Sequence, residues 1–281
     1  MLLSPSYYYS MMVASSITFF LTVLCCRLLG QQKKGKVRPE QSECEMNDNH
    51  EDSFSVLPCI RNRRSIFPNQ YMAHPGADVD PKVIKSLLDA ALWGPYHGRC
   101  FAGCDHPARF VVLGKRSMVE MQHLTLRYYD RNWKTLDPWG CGADNDGDES
   151  EERYRDWRKS TEDEITGRWG PVSCMVAIVM RRQTSPVSKR LPEWEEAAAV
   201  ACAVHNMHLQ QCARFPHLAC YWSSWHDAAR DSDDMKTFLD MGAEDKCMGF
   251  FVVAQAKPSF LRQTRDRRKR DPSIMQTEWR P

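Results

Sequence analysis

Four short segments of this sequence carry side chains suited to holding a phosphorylated, flat ligand. Arg61-Asn62-Arg63-Arg64-Ser65 offers three guanidiniums and a hydroxyl within five residues. Guanidinium forks match phosphate oxygens bidentately, and a serine hydroxyl can complete such a cradle. His97-Gly98-Arg99 follows a Gly94-Pro95 stop, so an imidazole and a further guanidinium sit in a loop at a helix end. Tyr221-Trp222-Ser223-Ser224 ends a strand pattern with an indole and two hydroxyls, which suits a planar polar ligand. Arg268-Lys269-Arg270 supplies a second cationic cluster near the C-terminus. Taken singly each has a plainer explanation: a solvated basic turn, a loop histidine, a core aromatic and a charged tail.

Other constellations compete and are weaker. Cys100, Cys104 and His106 have the types of metal ligands, but no paired second cluster follows, and no metal site is expected. Cys202, His205, His208 and Cys212 recur at helical spacing on an apolar helix, where packing explains them. Asp144-Asn145-Asp146-Gly147-Asp148-Glu149 has its glycine and final glutamate misplaced against a calcium-loop spacing. The basic run at 265–270 has no accompanying aromatic platform, which argues against a dedicated nucleic-acid site.

These segments need a scaffold, and the pattern supplies one. The amphipathic stretch 54–60 leads into the arginines, and Pro68 is expected to stop any helix there. Asp80-Pro81 reads as an N-cap followed by proline at the first helical position. Ile84, Leu87, Leu88, Ala91 and Leu92 then trace one buried helical face. Residues 109–113 read as a strand and 117–133 as a helix with Met118, Met121, Leu124 and Tyr128 inward. The charged stretch 139–166 reads as an irregular surface excursion. Residues 172–180 form a continuous apolar run, the mark of a strand covered on both faces. Pro192 opens the longest helix, to about Arg214, whose Ala197–Val204 stretch is apolar nearly all round. Such a helix is central in a core or packed against another chain. Strands at 218–222 and 249–254, with a helix at 234–241 between them, complete an α+β domain.

A chain of 281 residues with 42% hydrophobic content can bury a sizeable core, and a net charge of +2 argues neither for nor against a nucleic-acid partner. Its twelve cysteines are irregularly spaced and read as free thiols in a reducing compartment. Residues 1–26 carry no charge, and Arg27, Lys33, Lys34, Lys36 and Arg38 follow. This predicts a hydrophobic anchor or targeting segment over 1–30, a disordered polar linker over 31–52 and a globular domain over 53–281. The basic flank would leave the domain facing the cytoplasm from a membrane. The alternative is organelle targeting with a cleaved N-terminus, although the positive n-region of a signal peptide is missing.

Taken together and in order, the segments resemble the FMN-dependent nitroreductase family. The resemblance is carried by Arg63-Arg64-Ser65-Ile66, Ala90-Ala91-Leu92-Trp93-Gly94-Pro95-Tyr96-His97-Gly98-Arg99 and Arg109-Phe110-Val111-Val112. It continues through Glu193-Trp194-Glu195-Glu196, Cys202-Ala203-Val204-His205-Asn206-Met207, Tyr221-Trp222-Ser223-Ser224, Asp245-Lys246-Cys247-Met248-Gly249-Phe250-Phe251 and Arg270-Asp271-Pro272. It implies a nitroreductase-like α+β fold: a central mixed, mainly antiparallel sheet flanked by helices, in a domain-swapped homodimer with an extended C-terminal arm. It also implies FMN as cofactor, with Arg63, Arg64 and Ser65 at the phosphate and ribityl end and Arg268 and Arg270 closing on the phosphate. His97 would come from the partner subunit, and Trp222, Ser223 and Ser224 would border the ring system. The activity implied is hydride uptake from NADPH or NADH and reduction of a nitroaromatic or quinone, in a ping-pong cycle at flavin N5 without a catalytic side chain. A flavin-binding protein without turnover is the alternative. The chain departs from the family at Cys100–Ala108 and Phe215–Cys220, both beside the expected flavin.

Overall fold

A computed structural model describes residues 56–74, 78–98, 105–136, 148–186 and 189–262. The expected anchor and linker, Arg99, the Cys100 and Cys104 pair, Arg268, Arg270 and the C-terminal arm lie outside the described residues. Among those described, no helix is long and apolar enough to cross a membrane.

The elements in chain order are α1 (Pro58–Asn62), α2 (Pro81–Ala91), β1 (Ala108–Leu113), α3 (Lys115–Asn132), α4 (Asp148–Gly167) and β2 (Val172–Met180). They continue with α5 (Glu193–Arg214), β3 (Leu218–Ser223), α6 (Asp227–Arg230), α7 (Asp233–Phe238), β4 (Lys246–Gln255) and α8 (Pro258–Leu261). The four strands form one sheet in the order β1-β2-β4-β3. Each neighbouring pair is antiparallel, so the expected mixed character is not seen among the described residues.

The apolar run of β2 is explained by helices on both sides of the sheet. Alternate strand residues point to opposite faces. Met175, Ala177 and Val179 join Phe250, Val252 and Ala254 against Met118, Met121 and Leu124 of α3. Cys174, Val176, Ile178 and Met180 join Phe251 and Val253 against Ile84, Leu87 and Ala91 of α2 and Val200, Ala203, Val204 and Met207 of α5. All nine residues of β2 are buried, so a strand in an antiparallel sheet loses its polar alternation.

Several expectations are corrected. The Asp80 side chain caps α2, accepting from Lys82 N at 2.8 Å, but Leu92 lies past the last turn and is 79% exposed. In α3 the inward aromatic is Tyr129, with Tyr128 only half-buried. Residues 148–167, expected to be irregular, form a helix of 20 residues. Pairs at i, i+4 (Glu151–Arg155, Arg158–Glu162 and Glu164–Arg168) support it, while Tyr154 and Trp157 fasten it to α3 and the 225–226 turn. Pro68 does not end a helix that runs through the arginines. The chain leaves α1 at Arg63 with extended geometry, and Pro68 opens a 3-10 turn, Pro68–Gln70.

Candidate functional site

Residues 63–67 run extended beside the edge strand β3, and after the 3-10 turn residues 71 and 72 meet the end of β4. The Ile66 amide donates to the Cys220 carbonyl on β3 at 3.1 Å, and the Met72 amide donates to Gln255 on β4 at 2.9 Å. Ile66 is buried beneath this edge, which leaves Ser65 exposed beside it. The arginines are held from behind by α5. His208 Nε2 lies 3.0 Å from the Arg64 carbonyl, so it carries the proton and donates. In the neutral ring Nδ1 then accepts from the Arg63 guanidinium at 3.4 Å. Burial, and next the Arg63 charge, push the His208 pKa down to about 4. The imidazole is therefore neutral near pH 7, and this contact leaves the positive charge of Arg63 uncompensated. Arg64 lies over the Phe260 ring at 4.3 Å, which restricts the guanidinium. Two fixed cations and an exposed hydroxyl within three residues are what an anionic ligand requires.

The Trp222–Ser224 segment ends the same strand. Cys220, where Ile66 docks, and Ser223 are three residues apart on β3, or about 10 Å. The Trp222 indole N–H donates to the Met248 carbonyl at 2.7 Å. That bond fixes the ring as a wall and removes it as a donor to a ligand. Ser223 Oγ accepts from the Trp225 amide at 3.2 Å, which leaves its own O–H able to donate. The Ser224 carbonyl accepts from Arg230 at 3.0 Å.

A β-bulge in β4 makes this arrangement possible. Between the pairs Ala177–Phe250 and Val179–Cys247, Met248 and Gly249 together face Ile178 alone. Gly249 has φ +109°, and a Cβ there would stand 2.2 Å from the Ser223 carbonyl oxygen and 2.9 Å from Trp222 Nε1. The close approach of β4 to the Ser223 carbonyl and the Trp222 ring thus needs glycine. Beside the bulge a cleft of about 700 Å³ is lined by Glu193, Arg230, Lys246, Cys247 and Met248 among others.

His97 lies elsewhere in the chain. It is 79% exposed and meets Glu195 at the start of α5, at 3.3 Å. Gly94 sets this loop against the helix, since a Cβ on it would stand 2.9 Å from that of Ala203. Glu195 and His208 are thirteen residues apart on α5, so His97 and the arginine pair are anchored about 20 Å apart along the helix axis.

The structure therefore brings Arg63, Arg64 and Ser65 to the strand that ends in Trp222, Ser223 and Ser224, and keeps His97 of the same chain apart. His208 and Gly249 were missed as site residues. His208 sits in an apolar helix where packing is the ordinary reading, and only the tertiary contact to residues 63 and 64 reveals its role. The glycine lies in an apolar strand, a pattern that signals a bulge or a close backbone approach.

No protein-family model and no curated protein matches the sequence. The fold does match solved structures. A nitroreductase-like family protein from Bacillus cereus superposes with a TM-score of 0.51 at 15% identity, covering 80% of this chain and 96% of that one. The FMN-dependent nitroreductase NfnB from Mycobacterium smegmatis, solved in complex with NADPH, gives 0.50 at 11% identity, covering 79% and 96%.

Proposed function

We propose that this chain, which has the nitroreductase-like fold, is an FMN-dependent oxidoreductase that takes hydride from NADPH or NADH and reduces a small acceptor. The observation that carries the reading is the Arg63–Arg64 pair, held by neutral His208 on the strand that ends in Trp222–Ser224. The residues present fit the group. Arg63 and Arg64 would bind the phosphate, with charge-assisted bonds of roughly 1.5–3 kcal/mol each. Ser65 would donate to the ribityl or phosphate oxygens. Ser223 and Ser224 would offer hydroxyls at the ring edge, and the fixed Trp222 indole would wall the ring and exclude water. Arg268 and Arg270 would complete the phosphate contacts.

FMN, when bound, supplies the hydride chemistry at its N5, and the protein supplies position and electrostatics. A ping-pong cycle with a nitroaromatic or quinone as acceptor completes the proposal. The exposed face of α5 supports a homodimer in which His97 of one subunit reaches the arginines of the other. An N-terminal membrane tether over residues 1–30 is part of the same proposal, and carbonate-resistant sedimentation with membranes would test it.

The deciding experiment is a visible absorption spectrum of the purified protein with FMN, before and after anaerobic NADPH or NADH. A flavin spectrum that bleaches on reduction is expected. A folded, colourless protein that ignores added FMN would overturn the reading. Flavin that binds but is not reduced by either nicotinamide would favour the binding protein without turnover, which the altered segments at 100–108 and 215–220 motivate.

A further inference from the structure

A file of aromatic rings leads away from the Trp222–Ser224 segment and is not needed to build that segment. Trp225 meets His226 edge-on with centroids 5.4 Å apart, and His226 meets Trp157 of α4 at 5.9 Å. Trp157 stacks on Tyr154 at 5.9 Å, and Tyr154 stacks nearly parallel on Trp133 at 4.9 Å. The Tyr154 hydroxyl donates to Asp130 Oδ1 at 2.5 Å, and Arg158 Nε donates to the same oxygen at 3.1 Å. Burial alone asks only for apolar rings, and a phenylalanine at 154 would pack as well. A phenol bonded to a carboxylate in the middle of a tryptophan file has a further property: it can give up an electron and a proton together.

We propose that Trp225, Trp157, Tyr154 and Trp133 form a one-electron relay that carries oxidising equivalents from the Trp222–Ser224 segment to the protein surface. That they enter at Trp225 rests on reading this segment as the flavin border. The path itself stands on the ring geometry. The initiating oxidant is a one-electron oxidant formed beside the Trp222–Ser224 segment, of the class of partially reduced oxygen species. It takes one electron from the Trp225 indole, and no bond is made or broken there. Trp157 refills Trp225 across the His226 ring. Burial lowers the His226 pKa, so that ring is uncharged near neutral pH and does not repel the moving positive charge. Tyr154 then gives an electron to Trp157 and its hydroxyl proton to Asp130. Burial raises the Asp130 pKa, and the hydrogen bonds from Arg158 and Tyr154 more than offset this, so the carboxylate is ionised and ready to accept. Its side chain is 37% exposed, so the proton passes on to water. Trp133, the partly exposed end of the file, then gives an electron to the buried Tyr154 radical, which regains a proton through Asp130, and the Trp133 radical cation takes an electron from a solution thiolate, which restores tryptophan and leaves a thiyl radical.

Pulse radiolysis of the full protein without cofactor tests the path, with azidyl radical as the tryptophan-selective oxidant. The tryptophyl absorption should decay in a first-order phase, independent of protein concentration, while the tyrosyl band grows at the same rate. Tyr154→Phe should lose that phase, and Asp130→Asn should keep its amplitude and slow it. The same phase in Tyr154→Phe, or a rate that scales with protein concentration, would overturn the relay. A blue-light flash on FMN-loaded protein tests the entry point. Wild type should give a tyrosyl signal, and Trp157→Phe should stop at tryptophyl; a tyrosyl signal in that variant would overturn entry at Trp225. Failure of FMN to bind, read from the visible spectrum, would count against the proposed function, and the radiolysis would still decide the relay.

Discussion

A buried histidine that holds two arginines through opposite ring nitrogens makes the candidate phosphate end sensitive to a single atom. His208→Leu removes the acceptor for Arg63 and the donor to the Arg64 carbonyl, whereas His208→Gln keeps an amide N–H and a carbonyl that can serve both. FMN affinity, measured by quenching of flavin fluorescence, should fall about tenfold or more in the leucine variant, the scale of one charge-assisted bond, and recover in the glutamine variant. His208 should also shape acid stability. Its folded pKa of about 4 lies below the ordinary value of 6.5, so the unfolded chain binds the proton more readily. The stability it contributes is complete above about pH 6.5 and is lost as pH falls through about 4, amounting to at most ~3 kcal/mol. Urea midpoints between pH 7 and 4 should fall less steeply in His208→Gln than in wild type; equal slopes would contradict the assignment. Gly249→Ala forces a Cβ onto the Ser223 carbonyl and Trp222 Nε1 at a positive φ. It should cost about 1–3 kcal/mol in denaturant unfolding and weaken FMN binding along with stability.

At the scale of elements, the link from β2 to α5 positions the face that carries His208. Glu196 on α5 is fully buried, accepts from the Gln183 amide at 3.2 Å and pairs with Arg182, while the Gln183 side chain accepts from the Leu191 amide at 2.6 Å. Glu196→Ala would leave Arg182 largely buried without its partner. A loss of about 3–5 kcal/mol is expected from denaturant unfolding, far beyond that of an exposed carboxylate such as Glu162. The sequence shows Glu196 only as an acid in the first turn of a helix, because ion pairing across a chain reversal leaves no periodic mark. What periodicity does record was legible: the capped start of α2, the doubly covered β2 and the extent of α5 are local consequences of side-chain order. Helix α4 was not, since its apolar contacts come from Tyr154 and Trp157 at a single i, i+3 step, too short a stripe to stand out among charges. The exposure of Leu92 was missed because a helical stripe does not tell where the helix stops. In the site, Arg63, Arg64, Ser65 and Trp222–Ser224 were legible as residue types at plausible element ends. The bulge at Gly249 and the His208 clamp required the register of strands distant in sequence.

For the whole molecule, the separation of His97 from the arginine pair is the fact a functional reading must accommodate. About 20 Å of α5 lies between their anchors, so one cofactor contacts both only if they come from different chains. In the proposed homodimer the outward face of α5 would make such a contact: Trp194, Ala198, Cys202 and His205 follow one exposed stripe at i, i+4, i+8 and i+11. Trp194 is 69% exposed, and Leu92 and Trp93, at the end of α2, are 79% and 84% exposed. Rings and small side chains open to this degree suit a second copy of the helix better than water. Sedimentation should therefore give a dimer, and Ala198→Arg with Cys202→Arg should give a folded monomer with weakened FMN affinity. Mixing variants tests the shared site directly. Arg63→Ala with Arg64→Ala damages both sites of a dimer, and so does His97→Ala. A heterodimer of the two has one intact site and one carrying all the damage, so NADPH-driven acceptor reduction should return to about half of wild type per dimer if each site draws on both chains. If no activity returns while the heterodimer is shown to form, His97 and the arginine pair serve the same subunit or unrelated sites, and the two-chain assembly is wrong.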